Sequence, residues 1–256
     1  MSLIKNIYFL IIAAFLITLF PSHANAYNFS NERLKYVISY KWGLIHKDAG
    51  EATLSLTTRG NFYDISLTAK TKPWADKLYQ VRDTLKGTLQ ASTLRPLSYE
   101  KLTHEKGEYK RDVIEYTYTG NQTIGNAKRY RNDKGKWKVT EKTFSATGPV
   151  FDMLSVFYYL RQLDFSSMSS AKTYTATIFS GKLKETIKIQ ILGKEKVKMK
   201  DKSEREAFRV KFNFTKEGGK KSSDDMNVWI STDSSHIPLY LVGKLPVGEV
   251  RAYLIS

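Results

Sequence analysis

Cysteine is absent from this chain of 256 residues. Its absence excludes disulfide bonds, thiolate metal sites, cysteine nucleophiles and thiol redox chemistry. Long apolar runs are also scarce: residues 7–20 form one, and no later stretch approaches the roughly 20 residues that a membrane-spanning helix needs. The rest of the chain must therefore fold around a hydrophobic core without covalent cross-links.

The apolar run follows Lys5 and ends at Pro21, and the small residues Ala24 and Ala26 come next. A basic start, an apolar centre and a small-residue cleavage site predict a secretory signal peptide over residues 1–26. The alternative is a retained anchor, for which the run is short. No cysteine follows the run, which excludes a lipid-modified lipoprotein. We expect export by the Sec route and no transmembrane anchor after cleavage near Tyr27.

Positive charge dominates the composition, with 41 Lys and Arg against 25 Asp and Glu, a net charge of +16. Removing Lys5 with the signal peptide leaves +15. Such a charge attracts lipid head groups, lipopolysaccharide or acidic glycans, and an exported protein rarely meets nucleic acid. We therefore expect lipid or another envelope anion as partner and no nucleic acid. The alternative is a lysine-rich surface that only keeps the protein in solution.

Apolar and polar residues alternate through most of the chain, which is typical of half-buried strands. Examples on single faces are Leu34, Tyr36, Ile38 and Tyr40, then Tyr63, Ile65 and Leu67, then Phe208, Val210, Phe212 and Phe214. Turn residues such as Arg59-Gly60-Asn61 separate the strands. More than ten short strands predict one mainly β domain over residues 27–256, built as a large curved antiparallel sheet, a half-barrel or open barrel.

One segment breaks the two-residue period. Residues 149–163 begin with Pro149, which suits the first turn of a helix, and carry apolar residues on almost every side. A helix of that kind is buried, so we expect the curved sheet to enclose it. Asp152 lies near its start, where a carboxylate accepts hydrogen bonds from the free N–H groups of the first turn.

Two sets of residues are candidates for binding. An apolar cavity on the concave side of the sheet would be lined by Trp42, Phe151, Leu154, Phe157 and Tyr158, although most aromatic residues in such patterns simply form the core. A basic ladder would present Lys194, Lys196, Lys198, Lys200 and Lys202 on one strand face to lipid phosphates. The alternative for the ladder is a charged face that protects an edge strand.

No catalytic constellation is present in the sequence. His46, His104 and His236 stand in spacings too common to predict a metal or acid–base site. Ser155 lacks the glycine-flanked turn that exposes a hydrolase serine. We therefore expect no catalytic residue, no metal and no cofactor, and a protein that is not an enzyme.

Four motifs carry a family resemblance: residues 40–52 (YKWGLIHKDAGEA), 94–101 (LRPLSYEK), 152–161 (DMLSVFYYLR) and 228–250, which includes VWIS, IPL and VGEV. In this order they resemble an exported bacterial family, domain of unknown function 3108. Ala91-Ser92-Thr93 departs from the Asp-Pro that the family often has there. The resemblance implies a mainly antiparallel β protein in the periplasm of a Gram-negative bacterium, with no established reaction.

Three hypotheses for function remain. The first is a non-enzymatic cell-envelope protein that binds an apolar or amphiphilic ligand in its curved sheet. The second is a structural or assembly partner of other envelope proteins, with a filled core. The third, with the least support, is a hydrolase of envelope glycan or lipid.

Overall fold

The computed structural model describes residues 28–105, 108–133, 135–166, 173–244 and 248–256. The predicted signal peptide, residues 1–26, lies outside them. The strands are β1 (Glu32–Trp42), β2 (Ile45–Arg59), β3 (Phe62–Thr71), β4 (Val81–Gln90), β5 (Pro96–Glu105), β6 (Glu108–Thr119), β7 (Gln122–Asp133), β8 (Lys136–Thr147), β9 (Val150–Phe151), β10 (Thr173–Phe179), β11 (Lys184–Lys198), β12 (Glu204–Lys216), β13 (Met226–Ser231), β14 (Pro238–Lys244) and β15 (Glu249–Leu254). The helices are α1 (Pro73–Tyr79) and α2 (Ser155–Leu160).

All fifteen strands belong to one sheet, in the order β8 to β1, then β15 to β9. The pairs are antiparallel except β9 with β10, and the two halves join where β1 pairs with β15, with Tyr36 opposite Leu254. The sheet ends, β8 and β9, are consecutive in the chain, so the sheet curls until its ends approach. The rings of Phe144 and Phe179 stack across this seam at 5.2 Å. The predicted mainly β, curved antiparallel architecture is confirmed.

The core lies on the concave face, as the alternation predicts. Leu34 and Tyr36 of β1 are buried, and so is Leu54, which pairs with Leu34 from β2. Later strands contribute the wholly buried Ile187 and Ile189. Each removes apolar surface from water, at roughly 25 cal/mol per Å². One continuous cluster of such side chains fills the centre of the curved sheet.

Helix α2 packs inside the sheet, as predicted, but it is shorter than residues 149–163. Val150 and Phe151 form strand β9 beside β10, so Pro149 precedes a strand rather than a helix. The helix begins at Ser155, because the Asp152 carboxylate accepts the backbone N–H of Leu154 and of Ser155, each at 2.8 Å. Asp152 therefore has the predicted role at the helix start, and it is fully buried.

Candidate functional site

Helix α1 stands in the connection between β3 and β4. Pro73 occupies its first turn, where the missing N–H of proline costs no hydrogen bond. Trp74 and Leu78 are four residues apart and lie on one helix face. This helix is absent from the elements predicted above. Its signal in the sequence is the proline start followed by two large apolar residues at helical spacing.

An open pocket of about 460 Å³ lies between α1 and the concave face of the sheet. Its lining is mainly apolar: Ile38, Tyr40, Ala49, Ala69, Val81 and Val250 from the sheet and its adjoining segments, and Trp74, Ala75, Leu78 and Tyr79 from the helix. Glu51 and Lys70 also border it, but their side chains lie on the opposite face of the sheet, where they form an exposed ion pair at 3.7 Å. The pocket can therefore accept an apolar group.

Small residues keep the floor of this pocket open. Ala69 presents one methyl group, and Gly50 presents no side chain. A Cβ at Gly50 would lie 2.6 Å from the carbonyl oxygen of Lys70, so the close approach of β2 and β3 requires glycine. Larger side chains fill the concave face elsewhere, whereas the space under α1 is left open.

Polar contacts hold α1 over the pocket. The Trp74 indole N–H donates to the carbonyl of Asp48 at 2.8 Å. The Arg82 guanidinium bonds Asp76 at 2.8 Å and holds the pKa of that carboxyl below its ordinary value. At the end of the helix, the Tyr79 hydroxyl donates to Glu105 at 3.0 Å. Both ends of the helix are thus attached to the sheet.

The five residues predicted to line a cavity do not meet in one. Leu154 and Tyr158 are fully buried in the core, and Phe157 is half-buried against it. Phe151 lines a different pocket of about 620 Å³, beside the connection from β8 to β9. Trp42 is 55% exposed at the end of β1, so its predicted place in an enclosed cavity is wrong: β1 ends there, and the ring extends past the sheet.

The five lysines of the predicted ladder do not all lie on one strand face. Lys194, Lys196 and Lys198 share a face of β11, opposite Phe208, Glu206 and Glu204. Strand β11 ends at Lys198, and so the prediction that Lys200 and Lys202 extend the same face is wrong. Lys200 instead pairs with Asp48 on β2, and Lys202 adopts a positive φ of 72° in the following turn.

The histidines stand on separate elements. His46 lies on β2 and His104 on β5, while His236 lies in the turn before β14, where its Nδ1 is 2.9 Å from the carbonyl oxygen of Arg161. Among the described residues, no group of three or more His, Asp or Glu is arranged to hold a metal ion. In the same part of the chain, no helix is long and apolar enough to cross a membrane.

Arg161 is a buried cation whose contacts the sequence patterns do not predict. Its side chain is 1% exposed, directly after α2, and it forms two hydrogen bonds with Glu32 at 2.5 and 3.0 Å. It also donates to the carbonyl of Ser235 at 2.9 Å. The guanidinium lies over the rings of Phe29 and Tyr158, at 4.6 and 5.6 Å. Arg161 therefore ties the interior helix to β1 and to the turn before β14.

Buried oxygens beside α2 form a second polar feature of the interior. Burial raises the pKa of Asp152 to about 6, against the opposing effect of the N–H groups that it accepts. Its second carboxyl oxygen and the hydroxyls of Tyr99 and Tyr116 are buried, with no hydrogen-bond partner among the described residues. Burial, and then the nearby Asp152 charge, raise the pKa of both tyrosines.

These features define a class: a nearly closed, β-barrel-like antiparallel sheet with a helix packed inside and an apolar pocket beneath a second helix. A family model described as a protein of unknown function (DUF3108) matches residues 35–255. The chain belongs to that family, as its motifs indicated.

A solved structure shares the fold. It is the crystal structure of a β-barrel-like protein of domain of unknown function DUF1849 from Brucella abortus. The TM-score is 0.63 at 13% identity, and the match covers 90% of this chain and 98% of that chain. No curated protein matches this sequence.

Proposed function

We propose that this protein is a non-enzymatic protein of the cell envelope that binds an apolar or amphiphilic ligand in the pocket beneath α1. The observation that carries the proposal is the apolar space between α1 and the concave face, which the side chains of the core leave unfilled. Its volume of about 460 Å³ falls within the roughly 300–1,000 Å³ typical of small-molecule sites.

The lining favours the apolar part of a ligand. Trp74, Ala75 and Val250 offer no charge to the interior of the pocket, so an apolar chain there would exchange water for apolar contact. The pocket is open on one side, so a polar end group of an amphiphilic ligand would remain in water there. The envelope location rests on the predicted signal peptide and on the net charge of +16.

Titration with cis-parinaric acid, a fatty acid that fluoresces when bound, tests the proposal on the mature chain in detergent-free buffer. We expect saturable binding that Ala69→Phe weakens at least about tenfold, because the new ring occupies the pocket. Thr68→Phe is the matched control, because its side chain is exposed on the other face of β3. Circular dichroism and urea titration confirm that each variant folds.

Absence of saturable binding to the wild-type protein would overturn the proposal. Equal binding by Ala69→Phe and wild type would place the fatty acid elsewhere and would also overturn it. Lipid found by native mass spectrometry in protein purified from its own periplasm would support it.

The assembly hypothesis is the second candidate, and one observation favours it: the centre of the concave face is filled by α2 and the aromatic core. A filled core needs no ligand. Cross-linking in cells, followed by purification, would favour this reading if it recovered one envelope protein in stoichiometric amount while cis-parinaric acid failed to bind.

A further inference from the structure

Exposed apolar side chains are concentrated at one end of the β1–β8 meander. Of the nine large hydrophobic residues that are exposed among the described residues, six lie there: Trp42, Leu44, Leu78, Tyr79, Tyr109 and Trp137. They belong to the end of β1, the β1–β2 turn, α1, the start of β6 and the start of β8. In an antiparallel meander, every second connection falls at the same end of the sheet. We call this set of residues the hairpin rim.

Several elements that carry the hairpin rim contact one another. The Lys47 ammonium lies 4.7 Å from the centre of the Trp74 ring, which joins β2 to α1. The Tyr79 hydroxyl bonds Glu105 and joins α1 to the end of β5. The rings of Tyr109 and Trp137 meet edge to face at 5.8 Å and join β6 to β8. Contacts therefore run from the helix to the last strand of the meander.

Positive charge is in excess along the same surface. Three of its acidic residues already pair with cations, since Asp48 bonds Lys200, Asp76 bonds Arg82 and Glu108 bonds Lys110. Lys72, Lys77 and Lys138 have no carboxylate oxygen within 4.0 Å among the described side chains. Two further acids stand here: Glu105 bonds Tyr79, and half-buried Asp83 faces Glu105 and Lys101.

We infer that the hairpin rim is the surface through which this protein contacts an anionic phospholipid bilayer. Trp and Tyr side chains favour the boundary between hydrocarbon and head groups, and exposed leucines enter it. Lysines beside them are attracted to anionic head groups. Leu44 is fully exposed in this surface, and a bilayer would remove its side chain from water.

This contact is independent of the proposed ligand, but the two surfaces adjoin. Leu78 and Tyr79 belong both to the hairpin rim and to the lining of the pocket. A bilayer at the rim would therefore face the open side of the pocket. The rim can bind a bilayer whether or not the pocket binds a lipid.

Sedimentation with vesicles of equal parts phosphatidylglycerol and phosphatidylethanolamine tests the inference on the mature chain. We expect binding that the double variant Leu44→Ser with Trp137→Ser weakens at least about tenfold. The matched control is Leu192→Ser with Ile255→Ser, which removes two exposed apolar side chains away from the rim. The control should bind as the wild type does.

A second comparison separates the rim from the lysine ladder. The triple variant Lys72→Gln, Lys77→Gln and Lys138→Gln should lose the preference for these vesicles over phosphatidylcholine vesicles. Lys194→Gln, Lys196→Gln and Lys198→Gln remove the same charge from β11 and should retain it.

No binding by the wild-type protein overturns the inference, and so does an equal loss in the matched control or in the ladder variant. Circular dichroism identifies any variant that fails to fold, and Leu44→Ser alone, in an exposed turn, then replaces the double variant. Cis-parinaric acid binding is measured without vesicles, so failure at the pocket and failure at the rim are separate results.

Discussion

Replacing Arg161 with methionine should destabilise the protein by about 3–5 kcal/mol, the usual cost of removing one partner from a buried ion pair. The Arg161 side chain is 1% exposed and that of Glu32 is 14% exposed. Methionine keeps most of the side-chain volume but leaves the Glu32 carboxylate without its two hydrogen bonds, and the Ser235 carbonyl without one. For a domain of this size, the melting temperature should fall by roughly 10 °C.

Urea unfolding followed by tryptophan fluorescence measures this cost. The matched control is Arg59→Met, because Arg59 forms two hydrogen bonds with Asp64 in the same arrangement, at 2.7 and 3.1 Å, but with both side chains well exposed. Water screens such a pair, so the control should remain close to wild type. The double variant Glu32→Gln with Arg161→Met should lose less stability than the two single variants together, because each single variant leaves one buried charge unpaired and the double variant leaves none.

Equal midpoints for Arg161→Met and Arg59→Met would refute the reasoning. That result would mean that water reaches Glu32 once the guanidinium is gone, so that α2 is held by apolar packing alone. Strict additivity in the double variant would mean that the two side chains stabilise the fold separately.

Two further predictions concern the interior. The pKa of Asp152 is about 6 in the folded protein, above its ordinary 3.8, so the folded state favours the protonated carboxyl. The contribution of this protonated carboxyl to the stability of the fold is therefore complete below pH 3.8 and is lost as the pH rises through 6. The wild type should therefore lose about 3 kcal/mol relative to Asp152→Asn between pH 3.8 and 7.5 in urea unfolding, and a constant difference would contradict this. Gly125→Ala should cost about 1–3 kcal/mol, because its Cβ would lie 2.6 Å from the Phe179 ring. Gly243→Ala, whose nearest neighbour is Met226 at 3.6 Å, should change stability by under about 0.5 kcal/mol, and equal losses would contradict the packing argument.

Most of the sheet follows from the sequence, because its strands are long and keep a strict two-residue period. The faces that begin at Leu34, Tyr63 and Phe208 point to the core as predicted, with Ile38, Tyr40 and Leu67 half-buried and their other predicted members buried. The turn at Gly60, with a φ of 59°, is where the sequence indicates it. The two-residue period alone predicts which residues face the core. It is sufficient to predict the sheet where each strand pairs with its neighbour in the chain.

The departures arise where local pattern and tertiary contact differ. A β-bulge between Ile191 and Gly193 changes the register of β11, and the strand ends before Lys200, which an ion pair with Asp48 draws to β2. Apolar residues around α2 suit a buried strand as well as a buried helix, so periodicity could not exclude β9 at Val150. The pocket combines β1, β3, α1 and β15, and no spacing along the chain reveals that juxtaposition.

The two ends of the β1–β8 meander carry different side chains, and this difference can be recognised only once the strand order is known. The connections at one end hold no exposed large apolar side chain among the described residues: Gly60-Asn61, residues 91–95, Gly120-Asn121 and Gly148-Pro149. Those at the other end hold Trp42 and Leu44, helix α1 and the β8 start at Trp137. Both ends have turn glycines with positive φ, for example Gly60 at one and Gly43 at the other, so turn geometry does not account for the exposed aromatic and leucine side chains. Exposed aromatic and leucine side chains are also costly to keep in water, and an apolar partner at that end gives them a physical reason.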